Sequence, residues 1–534
     1  MHVESNQTAT VARSLVAEAA VSAVREPFSI ARRQMVVGSI LIGIVLVAFE
    51  ATVVSTAMPT VVSSLGGLHM YSWVFTAYLF TSTISVPLWG KLSDLFGRRR
   101  FYLSGVVVFV IGSGLCGQAG SMEALILFRA IQGIGAGAVI PLSLTIIADL
   151  YTVKERARMQ GLFGVVWGLA SVAGPILGGL ITDYWSWHWA FYVNVPIGFL
   201  AAGIMAVGMR ESPQPAYRTS IDYRGALLMM GIVTLLLGIL SQGGKTYAWT
   251  SSPIVIACLI LAGTIWLFIR VENRASDPIL PLNLFQNPMF RAACITGFLT
   301  GIAMFGALSF IPLFVQAVIG TSATAAGSVL TPLMLGWVVS SIVASRMLLK
   351  IGIRPTLIIG LIILLLGCIG LIQFDMGTAK STVASTMVMV GAGFGLAFTP
   401  LLIAMQNAVP RAQLGVATSA SQFFRTIGGA VGVALLGSVM TERMQGHFID
   451  VGDFLDSGLS RDQIQNFLQH PDAIVNAATR AMLPPDLLHA MQNILANALH
   501  HTFIVTLVIV VIALISACFI PRCSPRDFEA MGER

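Results

Sequence analysis

Residues 36–61 read VVGSILIGIVLVAFEATVVSTAMPTV, an apolar run long enough to cross a bilayer as one helix, with one ionisable residue, Glu50, inside it. Fourteen residues separate Val36 from Glu50. At about 1.5 Å of rise per residue, that places the carboxyl roughly 21 Å into a hydrocarbon layer about 30 Å thick. A charge at such depth costs about 3 kcal/mol or more, so the group normally faces a partner or a water-filled path. Two readings follow: a proton or substrate site, or a carboxyl that only locks two helices together.

The rest of the chain is of the same kind. Of its 534 residues 56% are hydrophobic and 10% are charged, far below the charged content of roughly 25% usual in soluble domains. Further apolar runs fall near 71–90, 101–120, 124–149, 160–182, 190–209, 225–242, 253–269, 292–315, 325–348, 355–373, 382–405, 419–440 and 502–520. With the first, they predict fourteen transmembrane helices. With the N-terminus inside, only Lys245, Lys380, Arg443, Arg461 and Arg480 among the loop cations fall on the outer side. That matches the positive-inside rule and puts both termini in the cytoplasm. The net charge of +7 is therefore topological, and its dispersal over short loops argues against a nucleic-acid partner.

The organisation expected is a cytoplasmic tail over 1–34, a six-helix bundle over 35–210, two inserted helices and a proline-rich loop over 211–290, a second six-helix bundle over 291–520, and a tail over 521–534. Residues 441–501 are read as an outer loop holding two short amphipathic helices. Ser460 with Gln463 resembles a capping box, and Leu488, Met491, Ile494, Leu495 and Ala498 recur at helical spacing. The loop caps the second bundle or docks an envelope partner. The six cysteines fall in or beside apolar runs without paired spacing, so neither a disulfide nor a metal framework is expected. Gly243-Gly244-Lys245-Thr246 lacks the first glycine of a phosphate loop, since Ile239 stands there, and so predicts no nucleotide-driven enzyme.

Three stretches carry the expected mechanism. Gly90-Lys-Leu-Ser-Asp94-Leu-Phe-Gly97-Arg98-Arg99-Arg100 is a tight basic turn with an acid in it. Arg129-Ala-Ile-Gln132-Gly133-Ile-Gly135-Ala-Gly137 follows Ser121 by eight residues, so Arg129 lies roughly 12 Å from the outer face, close to the depth of Glu50. Ala170-Ser-Val-Ala-Gly174-Pro175-Ile-Leu-Gly178-Gly179 sets small residues four apart, as closely packed membrane helices do.

The first of these resembles the signature loop of the major facilitator superfamily, the second its fourth-span motif, and the third the motif of its antiporters. The run around Glu50 is similar to the first-span pattern of the fourteen-span drug:proton antiporters, with glutamate in place of the usual aspartate. Trp187 to Gly198 and Phe424-Arg425-Thr-Ile-Gly428-Gly429 extend the resemblance along nearly the whole chain.

The resemblance implies an all-α integral membrane protein of the major facilitator fold, two six-helix bundles plus two inserted helices. It also implies a proton-coupled exporter of lipophilic, often cationic compounds across the cytoplasmic membrane, or on the same fold an exporter of a lipid, siderophore or other amphiphilic metabolite. Glu50 and Arg129 would carry proton coupling. Gly90, Asp94, Gly97, Arg98, Arg99 and Asp149 would form the cytoplasmic gate, and Gly174, Pro175, Gly178 and Gly179 the antiporter motif. Trp73, Tyr78, Gln132, Trp167, Phe305 and Phe394 are candidates for the substrate cavity. The proton gradient would drive transport with no cofactor or metal, in a monomer whose partners are protons, small lipophilic substrates and the lipid bilayer.

Overall fold

The computed structural model describes residues 29–66, 70–210, 222–244, 247–275, 278–320, 329–448 and 485–521. Among the described residues, each apolar run of the sequence falls on a helix. The first half comprises α1 (Ile30–Leu65), α2 (Tyr71–Phe96), α3 (Arg98–Cys116), α4 (Met122–Leu150), α5 (Val153–Tyr184), a single turn α6 (Trp189–Tyr192) and α7 (Asn194–Gly208). Two inserted helices follow, α8 (Tyr223–Gln242) and α9 (Ser252–Glu272). The second half comprises α10 (Pro288–Leu313), α11 (Leu330–Ile351), α12 (Ile353–Ile372), α13 (Lys380–Asn407), α14 (Leu414–Phe448) and α15 (Pro485–Ala517). Twelve of these segments are long and apolar enough to cross a membrane. The helices α2 and α5 stand outside that set, although they are 26 and 32 residues long.

Each half has its own apolar core. One is built around Ile40, Tyr102, Phe109, Leu142 and Ile146, the other around Phe290, Phe314, Leu357, Leu364, Phe394 and Val510. The same device closes both. In α4, a Cβ on Gly133 or Gly137 would run into α2 at Tyr78 and Ser82, and one on Gly135 into α3 at Phe109. In α13, Gly391 and Gly395 face α11 at Leu333 and Trp337, and Gly393 faces α12 at Leu364. Two Gly-x-Gly-x-Gly runs thus let one helix in each half press against two neighbours, as small residues do in membrane packing. The chain reversals repeat as well. Gly97 (φ 106°) separates α2 from α3 and Gly352 (φ 88°) separates α11 from α12, a backbone region that glycine enters without strain.

The halves meet along two seams, α2 with α14 and α5 with α11. At the end of the bundle carrying the Gly97 turn, a Cβ on Gly90 would strike Ser419, and Cβ atoms on Gly161 and Gly164 would press on Ile342 and Ser341. The insertion lies beside the first seam. Val233 of α8 packs with Val86 of α2 and with Phe423 and Ile427 of α14, while α9 contacts α8 and leaves Val255, Leu259 and Trp266 exposed.

One expectation changes. The second amphipathic helix of the outer loop is continuous with the last span. Met491, Leu495 and Ala498 are buried on the stripe that continues through Thr502, Phe503 and Thr506. No proline or glycine lies between Pro485 and Ala517 to break the helix, and the buried face keeps one period throughout. The Ser460 capping box lies outside the described residues.

Candidate functional site

Glu50, on α1, is fully buried, and so is Arg129 of α4, at 2% exposure. The two depths read from the sequence coincide in three dimensions: Arg129 Nη1 is ion-paired with Glu50 Oε1. The same guanidinium donates to Gln132 Oε1 at 2.7 Å and to the Val74 carbonyl at 3.3 Å, and its carbon lies 4.2 Å from the centre of the Tyr78 ring. The second carboxylate oxygen is taken too. Asn194, the first residue of α7, donates through Nδ2 to Glu50 Oε2 and also to Ser113 Oγ at 3.1 Å. Ser113 in turn donates to the Phe191 carbonyl at 2.9 Å.

The group is nearly closed in charge but not in hydrogen bonds. Tyr78 Oη, Gln132 Nε2 and Asn194 Oδ1 are buried without partners. Buried polar atoms left open in this way are costly, and together they mark a place where bonds can be exchanged. A proton arriving at Glu50 cancels the charge that balances Arg129 and leaves it as an uncompensated buried cation. Protonation and local rearrangement are therefore coupled by geometry.

The α5 motif is in contact with the same helix. A Cβ on Gly174 would meet the Thr52 side chain, and one on Gly178 would meet Thr56 and Val53, all on α1 within two turns of Glu50. Pro175 lies within α5, and Gly179 faces open space. The motif's glycines are therefore unequal. Gly174→Val is expected to cost about 1–3 kcal/mol by overpacking. Gly179→Ala should stay within about 0.5 kcal/mol. Thermal unfolding in detergent separates the two, and equal melting temperatures would refute the close approach of α5 to α1.

At the turn end, Asp94 accepts from the backbone amides of Gly415 at 3.0 Å and Val416 at 2.8 Å. These are orphan donors in the first turn of α14, which belongs to the other half. Arg98 pairs with Asp94, donates to Ser93 Oγ at 2.9 Å, and reaches Asp149 Oδ2 through Nε at 2.9 Å. Arg99 donates to the Ala206 carbonyl at 2.6 Å. Asp94 stands beyond the apolar run 71–90. Burial pushes its carboxyl up to about 6, against the pull of Arg98 and the two amides. Beside this cluster Arg33 and Glu155 pair at 2.8 Å. Burial works to raise the Glu155 carboxyl, but the Thr152 amide and Arg33 outweigh it and hold it low.

Of the six cavity candidates, Tyr78 and Gln132 stand at the Glu50–Arg129 pair. Phe394 is fully buried, stacked on Phe398 with centroids 5.7 Å apart, so its ring offers no open face in this conformation. Phe305 lies over Gly429, Trp167 is half-buried in the first core, and Trp73 is 48% exposed. The sequence reading missed three participants. Asn194 is an amide at the start of a helix and carries no charge to draw notice. Gly415 and Val416 act only through their backbone amides.

A family model described as Major Facilitator Superfamily matches residues 40–222 and 216–433. The chain is 39% identical over 510 residues to the Bacillus subtilis multidrug transporter protein MdtP, covering 92% of this chain and 93% of that one. It is 37% identical over 504 residues to multidrug resistance protein 3 of the same organism, covering 94% and 98%. Among solved structures, the proton:xylose symporter XylE superposes with a TM-score of 0.58 at 14% identity, over 93% of this chain and 98% of that one, a likeness of fold. With its two halves, its repeated glycine turns and these matches, the chain belongs to the major facilitator superfamily.

Proposed function

We propose that this protein exports lipophilic, often cationic drugs from the cytoplasm in exchange for protons, and that Glu50 is the site at which the exchange is made. The observation that carries the reading is a fully buried carboxylate held by a guanidinium and an amide, beside unsatisfied polar atoms. It stands in a chain whose close relatives are named multidrug transporters. The turn end is cytoplasmic, the termini lie inside, and the crossings number fourteen, the twelve apolar segments together with α2 and α5. The two bundles, 35–210 and 291–520, rock about the seams as a monomer in the cytoplasmic membrane, with no cofactor.

In the cycle, a proton from outside neutralises Glu50, frees Arg129 and Asn194 to rearrange, and lowers affinity for a cation. Facing the cytoplasm, Glu50 loses the proton and affinity returns. Asp94 and Arg98 hold the cytoplasmic side shut while the outer side exchanges protons for substrate. Tyr78 and Gln132 border the path. Moving one charge through 100 mV supplies about 2.3 kcal/mol, enough to sustain roughly a fifty-fold gradient of a neutral substrate.

The test is proton movement in inside-out membrane vesicles energised by respiration. Adding ethidium should release protons from the lumen only when the protein is present. Vesicles that accumulate ethidium without any proton movement would rule out antiport, and vesicles that do neither would remove the drug-export reading.

A further inference from the structure

The interior charge of the second half is unlike that of the first. The six apolar runs 292–315, 325–348, 355–373, 382–405, 419–440 and 502–520 contain no aspartate or glutamate. They do contain Arg425, on α14. Six residues separate it from Ser419, where the apolar run begins, so its Cα lies roughly 9 Å into a layer about 30 Å thick. Glu442, the nearest acid further along the helix, is seventeen residues on, roughly 25 Å away. From that depth the side chain is long enough to reach toward the near headgroup region.

It turns inward instead. The Arg425 carbonyl abuts Gly301 of α10, and the guanidinium carbon lies 4.9 Å from the centre of the Phe398 ring on α13, a mostly buried helix. Gln422 Oε1, one turn back, accepts one of its hydrogen bonds. Arg425 and Phe398 are half-buried, and so is Trp337, whose ring centroid is 5.3 Å from that of Phe398. Phe394 backs both rings. A guanidinium carries five N–H donors in a flat fork that matches a carboxylate, and it stacks on aromatic faces. A cation without a counter-charge at this depth is expensive and normally marks a path or a ligand. In the first half the equivalent cost is met by pairing Arg129 with Glu50.

We propose that Arg425, with Phe398 and Trp337, is a binding site for the carboxylate of an aromatic amphiphile, so that the cargo includes zwitterionic and anionic aromatic compounds as well as simple cations. The proposal rests on the export reading and adds to it. The arginine fork takes the carboxylate, the half-buried rings of Phe398 and Trp337 border the aromatic body, and Gln422 holds the fork in place. Bound cargo supplies the counter-charge that the apolar runs of the second half do not contain.

The test is equilibrium binding by fluorescence anisotropy to the purified full chain in detergent, with no gradient, using tetramethylrhodamine and its methyl ester. The acid is a zwitterion and the ester a cation, and they differ only at the carboxylate. The native protein should bind the acid more tightly than the ester. Arg425→Gln should weaken acid binding at least tenfold and leave ester binding within twofold. Arg425→Lys, which keeps the charge and loses the fork, should fall between. The proposal is overturned if the native protein binds the ester as tightly as the acid or binds neither dye. It is also overturned if Arg425→Gln leaves acid binding unchanged, or if both dyes are lost together in the variants. Should Arg425→Gln fail to fold, the native acid-to-ester preference and Arg425→Lys decide. Failure of the export reading has a different signature, absent ethidium-evoked proton release with the dye preference intact.

Discussion

Glu50→Gln is expected to reduce ethidium-evoked proton release in inside-out vesicles to the level of vesicles lacking the protein, a loss of a hundredfold or more in coupled transport. Glutamine keeps the length of the native side chain but only one of its two acceptor oxygens, so one of Arg129 and Asn194 keeps its bond and the other faces an NH2 group, which Asn194 meets only by turning its own carbonyl oxygen toward it. What disappears is the charge that balances Arg129 and the oxygen that takes the proton. Leaving one partner of a buried pair uncompensated costs about 3–5 kcal/mol, so folding has to be read alongside transport, by yield and by monodispersity in detergent. Glu50→Asp separates charge from reach. It restores the titratable group one methylene short, and coupled transport should return in part, with an apparent proton affinity displaced from the native one. If Glu50→Gln were folded and fully coupled, the carboxyl would be no more than a lock between α1 and α4. Asp149 and Asp94 would then be the next candidates for the proton site.

The second large effect concerns the latch between the halves. Asp94→Ala removes the acceptor that joins α2 to the start of α14, and it does so without touching the Glu50 site. The two amides of α14 lose a cap worth about 1 kcal/mol, and Arg98 loses one of its two carboxylate partners. Transport should fall at least tenfold while the protein still binds a lipophilic cation in detergent. The conformational readout is a distance between spin labels placed on the turn ends of α2 and α14. The native protein should give a population with the two ends together, and Asp94→Ala should shift it to longer separations. An unchanged distribution would mean that Gly90 against Ser419 and the glycines of α5 hold the seam unaided.

Much of this was open to reading from the chain alone. Membrane crossing, the fall of each run on a helix and the division into halves follow from local composition, because a bilayer forces backbone groups to bond within their own segment. The glycine at position 97 and the depths of Glu50 and Arg129 follow from backbone freedom and the fixed rise of a helix. A rule of that kind fixes how deep a residue lies but not the direction it faces around the helix axis. Tertiary structure alone decided that Arg129 turns toward Glu50, that Asn194 closes the pair from α7, and that Gly174 and Gly178 face α1 while Gly179 faces away. It also decided that Asp94 is matched by backbone amides from 321 residues along the chain. Rotation about an axis and pairing with main-chain donors depend on which helices become neighbours, and that is settled by packing both halves at once.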